Sequence, residues 1–261
     1  MVPTMKRARR PSRRKTIGLT LFGVVLLIAA AWTSGFFLHD SSQAASISEA
    51  LRRFRASGHG PGALNGVYIY ATKGSESINA LGGAKHIYPA KTSITAIEVP
   101  CGIQLRWAAL EKRSTTWTFC STAAGTELRI SDERHAFFNL SDHAVYVCSG
   151  RLLIPKQPVT GATRPFSCHS SRNLEVGVAR VIGRGTVAVG GRPVRAIHVS
   201  TDLTIRSRDS GSETIDWWLD TATALPLSIE LRSRTSRKMW VGRVRYHEDL
   251  NLRLLSLTPL R

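Results

Sequence analysis

Residues 16–38, TIGLTLFGVVLLIAAAWTSGFFL, contain no charged side chain and constrain this chain more than any other feature. A helix over this run would reach about 30–35 Å at about 1.5 Å per residue, which is enough to cross a bilayer core. A basic segment without acidic residues precedes it, with the cations Lys6, Arg7, Arg9, Arg10, Arg13, Arg14 and Lys15. Because such flanks stay in the cytoplasm, we predict a cytoplasmic tail over 1–15 and an extracytoplasmic chain after about residue 39.

The alternative is a cleaved secretory signal, since small residues follow the apolar run at Ser42, Ala44 and Ala45. The apolar part of a signal peptide usually spans about 7–15 residues, and this run is longer. We therefore favour an uncleaved anchor that crosses the cell membrane once. No cysteine precedes Cys101, so a lipid anchor at the N-terminus is not expected.

The formal net charge is +18, and the predicted cytoplasmic tail carries only seven of the positive charges. A basic exported domain favours anionic partners such as lipid headgroups, wall polymers or acidic proteins. A solvated, arginine-rich surface with no specific partner explains the same charge. Nucleic acid is excluded as an expected partner because the domain lies outside the cell.

The four cysteines all lie in the exported part and number an even count, which indicates disulfides. Three pairings are open. We prefer the sequential one, Cys101 with Cys120 and Cys148 with Cys168, because each pair is close in the sequence. A zinc site would need a CxxC-like pair, which the sequence lacks, so no metal is predicted.

A short amphipathic helix is predicted within the tether, residues 39–63. Ser46 or Ser48 can cap it, and Ile47, Leu51 and Phe54 recur at helical spacing. A helix that packs on the domain is favoured over one that lies on the membrane.

From residue 64 to 261 the apolar residues alternate with polar ones, which predicts half-buried strands. Gly-rich and Asp-Ser-Gly turn signals separate the runs. About ten strands follow, mostly antiparallel because the connections are short. In the first strand we assign Val67 and Ile69 to the apolar face and Tyr68 and Tyr70 to the wet face.

A family resemblance is found in the later half. A Gly190-Gly191 turn leads into a strand, Asp216-Trp217-Trp218-Leu219-Asp220 ends another strand in a turn, and Leu225-Pro226 begins the next. Over about residues 180–235 the chain resembles the LolA-like superfamily of exported lipoprotein and lipid carriers, which includes the LppX, LprG and RseB types.

The resemblance implies a mainly β fold: a strongly curved antiparallel sheet, barrel-like but unclosed, with few helices. Its concave apolar face would hold acyl chains or a partner peptide. Candidate ligand-lining residues, taken from the alternation alone, are Val67, Ile69, Leu105, Trp107, Ile197, Val199, Trp218, Leu227 and Ile229. LolA-like carriers close this face with several helices, whereas one good helix is seen here. A tethered domain also cannot shuttle far, which favours sensing or local presentation in the bacterial envelope.

Catalytic motifs are absent from the sequence. It lacks the G-x-S-x-G elbow, the P-loop and a G-x-G-x-x-G fingerprint. Asp216 and Asp220 would lie about 13 Å apart on one face of a strand, too far for a sugar-cleaving pair. His135 and His143 match no standard metal spacing. We therefore expect no enzyme, no cofactor and no metal.

The densest basic patch flanks one predicted hairpin and comprises Arg232, Arg234, Arg237, Lys238, Arg243 and Arg245. It can meet anionic headgroups, or it can simply protect a sheet edge from aggregation. The function that we expect is a membrane-anchored, non-enzymatic domain that binds a lipid or acyl ligand or senses the envelope state. The alternatives are an interaction module that binds an envelope protein without a small ligand and, less favoured, an envelope hydrolase.

Overall fold

The computed structural model describes residues 40–60, 62–138, 140–239 and 242–261. The predicted cytoplasmic tail and the predicted anchor, residues 16–38, lie outside the described residues. Within the described ranges, no helix combines the length and the hydropathy that a bilayer crossing requires.

The described chain is mainly β, as predicted, and holds one α-helix and one short 3₁₀ turn at Ala80–Gly82. The helix, α1, spans Ile47–Ala56. The strands are β1 (Gly66–Ile78), β2 (Ala84–Ile87), β3 (Lys91–Val99), β4 (Gly102–Leu110), β5 (Arg113–Ser121), β6 (Gly125–Phe137), β7 (Leu140–Ser149), β8 (Leu152–Pro155), β9 (Thr163–His169), β10 (Asn173–Val189), β11 (Arg192–Ser207), β12 (Asp209–Asp220), β13 (Pro226–Met239) and β14 (Gly242–Leu254).

All the strand pairings are antiparallel, and the hydrogen-bonded path returns to its start. It runs from β1 through β3, β4, β5, β6, β7 and β9, and then through β10, β11, β12 and β13 to β14. β14 in turn pairs with β1. β2 extends one edge of β1, and β8 pairs with β6. The sheet was expected to be unclosed, and this expectation is wrong because Tyr70–Ile78 pair with Tyr246–Leu254.

Gly74 makes this closure sterically feasible. Its φ is +143°, and a Cβ placed on it would lie 2.0 Å from the carbonyl oxygen of Asp249 on β14. A side chain at this position would therefore push the two strands apart.

Helix α1 packs on the outside of β1 and β3. Ser46 caps it by accepting a hydrogen bond from the Glu49 amide, and Phe54 is its buried residue. These contacts confirm the helix, one of the two predicted caps and the packing role that was favoured for it.

The faces of β1 differ from the prediction. Tyr68 and Tyr70 are buried in the core, whereas Ile69 is only half-buried on the opposite face. The rings can be buried because each hydroxyl donates to a backbone oxygen, that of Leu64 at 3.1 Å and that of Pro226 at 2.7 Å.

Both preferred disulfides are present, Cys101–Cys120 and Cys148–Cys168. The first joins the β3–β4 turn to the end of β5, and the second joins β7 to β9. The second is buried in the core. It fastens the pairing of two strands between which the short β8 intervenes in sequence.

Candidate functional site: a polar cavity at one end of the ring

The side chains that face into the ring change character along the strands. On β14 the inward positions are Leu254, Leu252 and Leu250, followed by Glu248 and Tyr246. On β13 leucine and isoleucine give way to Ser233 and Thr235, and on β12 Trp217 and Ile215 give way to Glu213. One end of the ring is therefore a packed apolar core, and the other end is polar.

The polar end encloses a cavity of about 410 Å³. We call this end of the ring the mouth end; the turns β1–β2, β4–β5, β6–β7, β9–β10, β11–β12 and β13–β14 lie there. The apolar residues of the cavity wall include Ile78, Leu81, Phe137, Leu140, Ile205, Met239 and Val244. Its polar residues include Glu133, His135, Asp142, Tyr146, Arg172, Asn173, Glu175, Asp209, Glu213, Arg237, Tyr246 and Glu248.

Three glutamates from different strands, Glu133, Glu175 and Glu213, form the carboxylate cluster of the cavity. Burial, together with the charge of Glu133, raises the pKa of Glu213 to about 8. Burial and the charges of Glu133 and Glu213 raise the pKa of Glu175 well above its usual range. The raised pKa favours the protonated form of both groups, which can donate as well as accept hydrogen bonds.

The positive charge of Arg151 acts on this cluster. Arg151 is 2% exposed, its guanidinium lies 4.9 Å from the Phe166 ring, and its Nη2 donates to Thr201 Oγ1 at 3.3 Å. Its charge opposes the rise in the pKa of Glu175 and Glu213. The carboxylate cluster and Arg151 together therefore carry less negative charge than three carboxyl groups would suggest.

A buried ion pair separates the cavity from the apolar core. Arg113 is 3% exposed and binds Glu248 with two hydrogen bonds, Nε to Oε1 at 3.1 Å and Nη2 to Oε2 at 3.0 Å. Tyr88 also donates to Glu248, and Tyr246 donates to its Oε2 at 2.8 Å. Every oxygen of this carboxylate therefore has a donor, as burial of a charge requires.

Glu76 continues this network to two histidines. His86 Nδ1 lies 3.0 Å from Glu76 Oε1, and His135 Nδ1 lies 3.2 Å from Oε2. Burial alone would raise the pKa of Glu76, but the hydrogen bonds with His135 and His86 and the charges of His135 and Arg113 hold it at about 2. The hydrogen bond with Glu76, opposed by burial, raises the pKa of His86.

The chain enters the described domain at this same end. His86 Nε2 lies 3.0 Å from Asp40 Oδ2, and Lys112 pairs with the other oxygen of Asp40. Ala44 forms a bridge with Leu110, and the Glu111 amide donates to Gln43 O at 3.0 Å. Residues 40–45, which we call the strap, are therefore fixed along the β4–β5 turn.

The rim of the cavity contains a second ion cluster. Arg237 donates to Asp209 and, at 2.9 Å, to Asp142, and Arg172 also contacts Asp142 at 2.9 Å. The hydrogen bond with Asp209, opposed by burial, raises the pKa of Arg237 further. Arg237 was predicted to belong to the basic patch, but its side chain lies on the inner side of β13.

The other members of that patch are exposed on the outer face of the β13–β14 hairpin, as Arg232, Arg234, Lys238, Arg243 and Arg245. Lys238 pairs in register with Arg243, and Ser236 with Arg245. The predicted hairpin is confirmed, and most of its cations lie next to the mouth end.

The nine predicted ligand-lining residues lie elsewhere. Val67, Leu105, Trp107, Ile197, Val199, Leu227 and Ile229 are buried, while Ile69 and Trp218 are half-buried. The 410 Å³ cavity is not lined by any of them; Ile197 lines a second pocket, of about 510 Å³, with Arg184, Arg195 and Lys156. Their contact with a ligand stays a prediction.

The strand that carries Trp217 and Trp218, β12, has a structural role. Trp217 is fully buried, and Trp218 faces outward and stacks on His198 at 4.6 Å between ring centroids. Asp220 caps the following turn by accepting from the Ala222 amide at 3.0 Å and from Thr223 Oγ1 at 2.8 Å.

The sequence did contain a signal for the cavity. In β14 the inward series reads Val244, Tyr246, Glu248, Leu250, Leu252, so a charged residue occupies a position that the period assigns to the core. A charge in register with core residues indicates a polar interior at that level of the strand. In the described ranges, no group of three or more His, Cys, Asp or Glu residues has the arrangement of a metal site.

Comparisons with known proteins do not assign this chain to a family. No family model matches the chain, and no curated protein matches it. Among solved structures, the chain is similar to the hypothetical lipoprotein YmcC from Escherichia coli K12, with 13% sequence identity and a TM-score of 0.35. The match covers 84% of this chain and 100% of that chain. That neighbour is a bacterial lipoprotein; membership of the LolA-like superfamily is not shown.

The raised pKa of Glu213 gives a first testable prediction. In the folded chain the pKa is about 8 and the ordinary value is 4.5, so the folded state holds the extra proton between these values. Its contribution to stability is complete below about pH 4.5 and is lost as the pH rises towards 8. Glu213→Gln, which mimics the protonated form, should be more stable than the parent by roughly 1–3 kcal/mol near pH 8.

The measurement is the free energy of unfolding in urea between about pH 5 and pH 8. Glu230→Gln on the exposed face of neighbouring β13 is the control and should follow the parent curve. A Glu213→Gln curve parallel to that of the parent would show that Glu213 is ionised in the folded protein at neutral pH.

Proposed function

We propose that the exported domain is a non-enzymatic binding domain that holds a small amphiphilic ligand in the cavity at the mouth end. The observation that carries the proposal is the wall of this cavity, in which apolar side chains lie together with a cluster of glutamates. Burial raises the pKa of two of these glutamates, Glu175 and Glu213. The volume of about 410 Å³ lies within the range of about 300–1,000 Å³ that is typical of small-molecule sites.

The wall defines the chemistry of the ligand. Ile78, Phe137 and Met239 favour an acyl or other apolar group. The carboxylate cluster and Tyr146 favour a polar group with hydroxyl or amine hydrogen-bond donors. We therefore propose a lipid or acyl-bearing ligand with a polar head, held by a domain that a single membrane anchor fixes to the cell membrane, in keeping with the LolA-like resemblance.

Native mass spectrometry of the full-length protein, purified in mild detergent, tests this proposal. We expect extra mass that organic solvent removes. Ala144→Trp places a large ring in the cavity and should raise the dissociation constant at least about tenfold, a loss of 1.4 kcal/mol or more in binding, and so lower the occupied fraction.

Val145→Trp is the matched control. Val145 is the next residue on β7, faces outward and is 43% exposed. This variant should retain the parent occupancy. Equal occupancy in the two variants would place the ligand outside the cavity, and a bare parent protein would contradict a tightly bound ligand.

An interaction module without a small ligand is the second candidate. Ile130 and Val147 form a registered pair on the outer face of β6 and β7, and both are more than a third exposed. Val145 and Leu174 add further exposed apolar surface on the same side. Apolar surface of this kind favours a protein partner.

A hydrolase is the third candidate. Glu175 and Glu213 have the raised pKa that a general acid needs. We rank it below binding because His135, the histidine of the cavity, is already engaged with Glu76 and Tyr246.

A further inference from the structure

Two exposed leucines lie in the turns that surround the cavity at the mouth end. Leu81, in the β1–β2 turn, is 42% exposed, and Leu140, after the β6–β7 turn, is 51% exposed. Both also line the cavity. The cavity thus opens between apolar side chains that have no cover among the described residues.

The backbone of these turns is unusual. Leu81 has a φ of +52° and Phe138 one of +49°, values in the left-handed region that bulky residues rarely adopt. Ser207, the last residue of β11 at the same end, has a φ of +96°. Three of the four non-glycine residues with a positive φ in the described ranges therefore lie at the mouth end; the fourth, Ala224, lies in the β12–β13 turn at the opposite end.

Cations surround the two leucines. Lys85, Arg208, Lys238, Arg243 and Arg245 are exposed near the mouth end, and Arg172 is partly exposed there. Of the acids at this end, the carboxylate cluster faces the cavity, and Glu76 and Glu248 are buried. Asp40, Asp142 and Asp209 are paired with cations, and Glu111 is exposed. The outer surface of the mouth end is therefore positively charged around an apolar centre.

The short connection between the strap and the predicted membrane anchor favours a bilayer as the partner of the mouth end. The strap fixes Asp40 at the mouth end through His86 and Lys112. In the sequence, only His39 separates Asp40 from the apolar residues 16–38, which we predict to cross the membrane. A residue spans at most about 3.6 Å, so the mouth end has little freedom to move away from a bilayer.

We propose that the mouth end lies against an anionic bilayer surface, with Leu81 and Leu140 inserted at the headgroup level and the surrounding cations on acidic lipid phosphates. The cavity then opens towards the membrane, and the bilayer is the source of its ligand. Apolar insertion and electrostatic attraction add in surface binding of this kind. The route of the ligand rests on the proposed function; the bilayer contact rests on the proposed membrane anchor but does not depend on a bound ligand.

Fluorescence quenching in vesicles tests the contact with the full-length protein. Leu81→Cys, Leu140→Cys and Val159→Cys are labelled singly with an environment-sensitive dye, since the native cysteines are joined in disulfides. Val159 is the matched control, because it is 66% exposed in the β8–β9 loop at the opposite end. The quencher is a nitroxide on the lipid headgroup.

In phosphatidylcholine vesicles that contain phosphatidylglycerol, we expect several-fold stronger quenching at positions 81 and 140 than at 159. Removal of phosphatidylglycerol should reduce it. Equal quenching at the three positions would overturn the proposal.

Charge reversal tests the electrostatic part. Lys238→Glu, Arg243→Glu and Arg245→Glu together should reduce quenching at position 81, whereas Arg253→Glu, on the same strand but at the opposite end, should not. Unchanged quenching in the triple variant would overturn the role of the cations. Because these measurements need no bound ligand, their failure is separate from a failure of the Ala144→Trp experiment.

Discussion

Arg113→Met is expected to lower the free energy of unfolding by about 3–5 kcal/mol, because it leaves Glu248 as a buried charge without its cation. Glu248 is 2% exposed, and Arg113 supplies two of its hydrogen bonds. The guanidinium also lies 5.1 Å from the centre of the Trp107 ring, so its removal reduces packing as well. Urea denaturation of the variant and the parent at neutral pH measures the loss.

A second change separates the charge from the packing. In Arg113→Met with Glu248→Gln, the buried carboxylate is gone, and we expect the loss to be smaller than in Arg113→Met alone. Arg253→Met, an exposed change on β14, should stay within about 0.5 kcal/mol of the parent. A loss below about 1 kcal/mol in Arg113→Met would mean that water reaches Glu248.

Trp217→Ala is expected to cost about 3–5 kcal/mol, as large-to-small changes of a buried tryptophan do. Trp217 is fully buried and makes edge-to-face contacts with Trp117 at 5.4 Å and with Phe119 at 5.9 Å. Its indole Nε1 has no hydrogen-bond partner among the described residues. The loss therefore comes from packing and from the space left behind, not from a broken hydrogen bond.

Its neighbour is a control of the same residue type. Trp218 lies on the opposite face, is half-buried and stacks on His198. Trp218→Ala should cost about 1 kcal/mol, close to the typical effect of a single change. Similar midpoints for the two variants in thermal unfolding would contradict the placement of Trp217 in the core.

Local patterns predicted the parts of this fold that depend on neighbouring residues. The period of two predicted the antiparallel strands, the spacing of the cysteines favoured the two disulfides that form, and Ser46 caps the helix as expected. Ring closure could not be predicted in this way. It depends on pairing between Tyr70 and Leu254, whose register no local signal specifies.

The cavity was missed for a different reason. Alternation separates two faces but does not say which of them is inside, and we assigned polar positions to the outside. Tyr70 and Glu248 are both on the inner side, where a hydroxyl and a carboxylate are stable only because partners from distant strands satisfy them. Arg113, the partner of Glu248, lies 135 residues away in sequence. No pattern within one strand reveals that pair.

The closed ring also governs when this domain can fold. β1 is the first strand of the described chain, and β14, which pairs with its free edge, is the last. Until β14 has been synthesised, β1 and β13 both expose unpaired backbone groups, which are templates for aggregation. Contacts between such distant segments form slowly. The strand edges of the nascent domain are therefore unprotected until its last strand has paired. A chain truncated before β14 keeps two unpaired strand edges, on β1 and on β13.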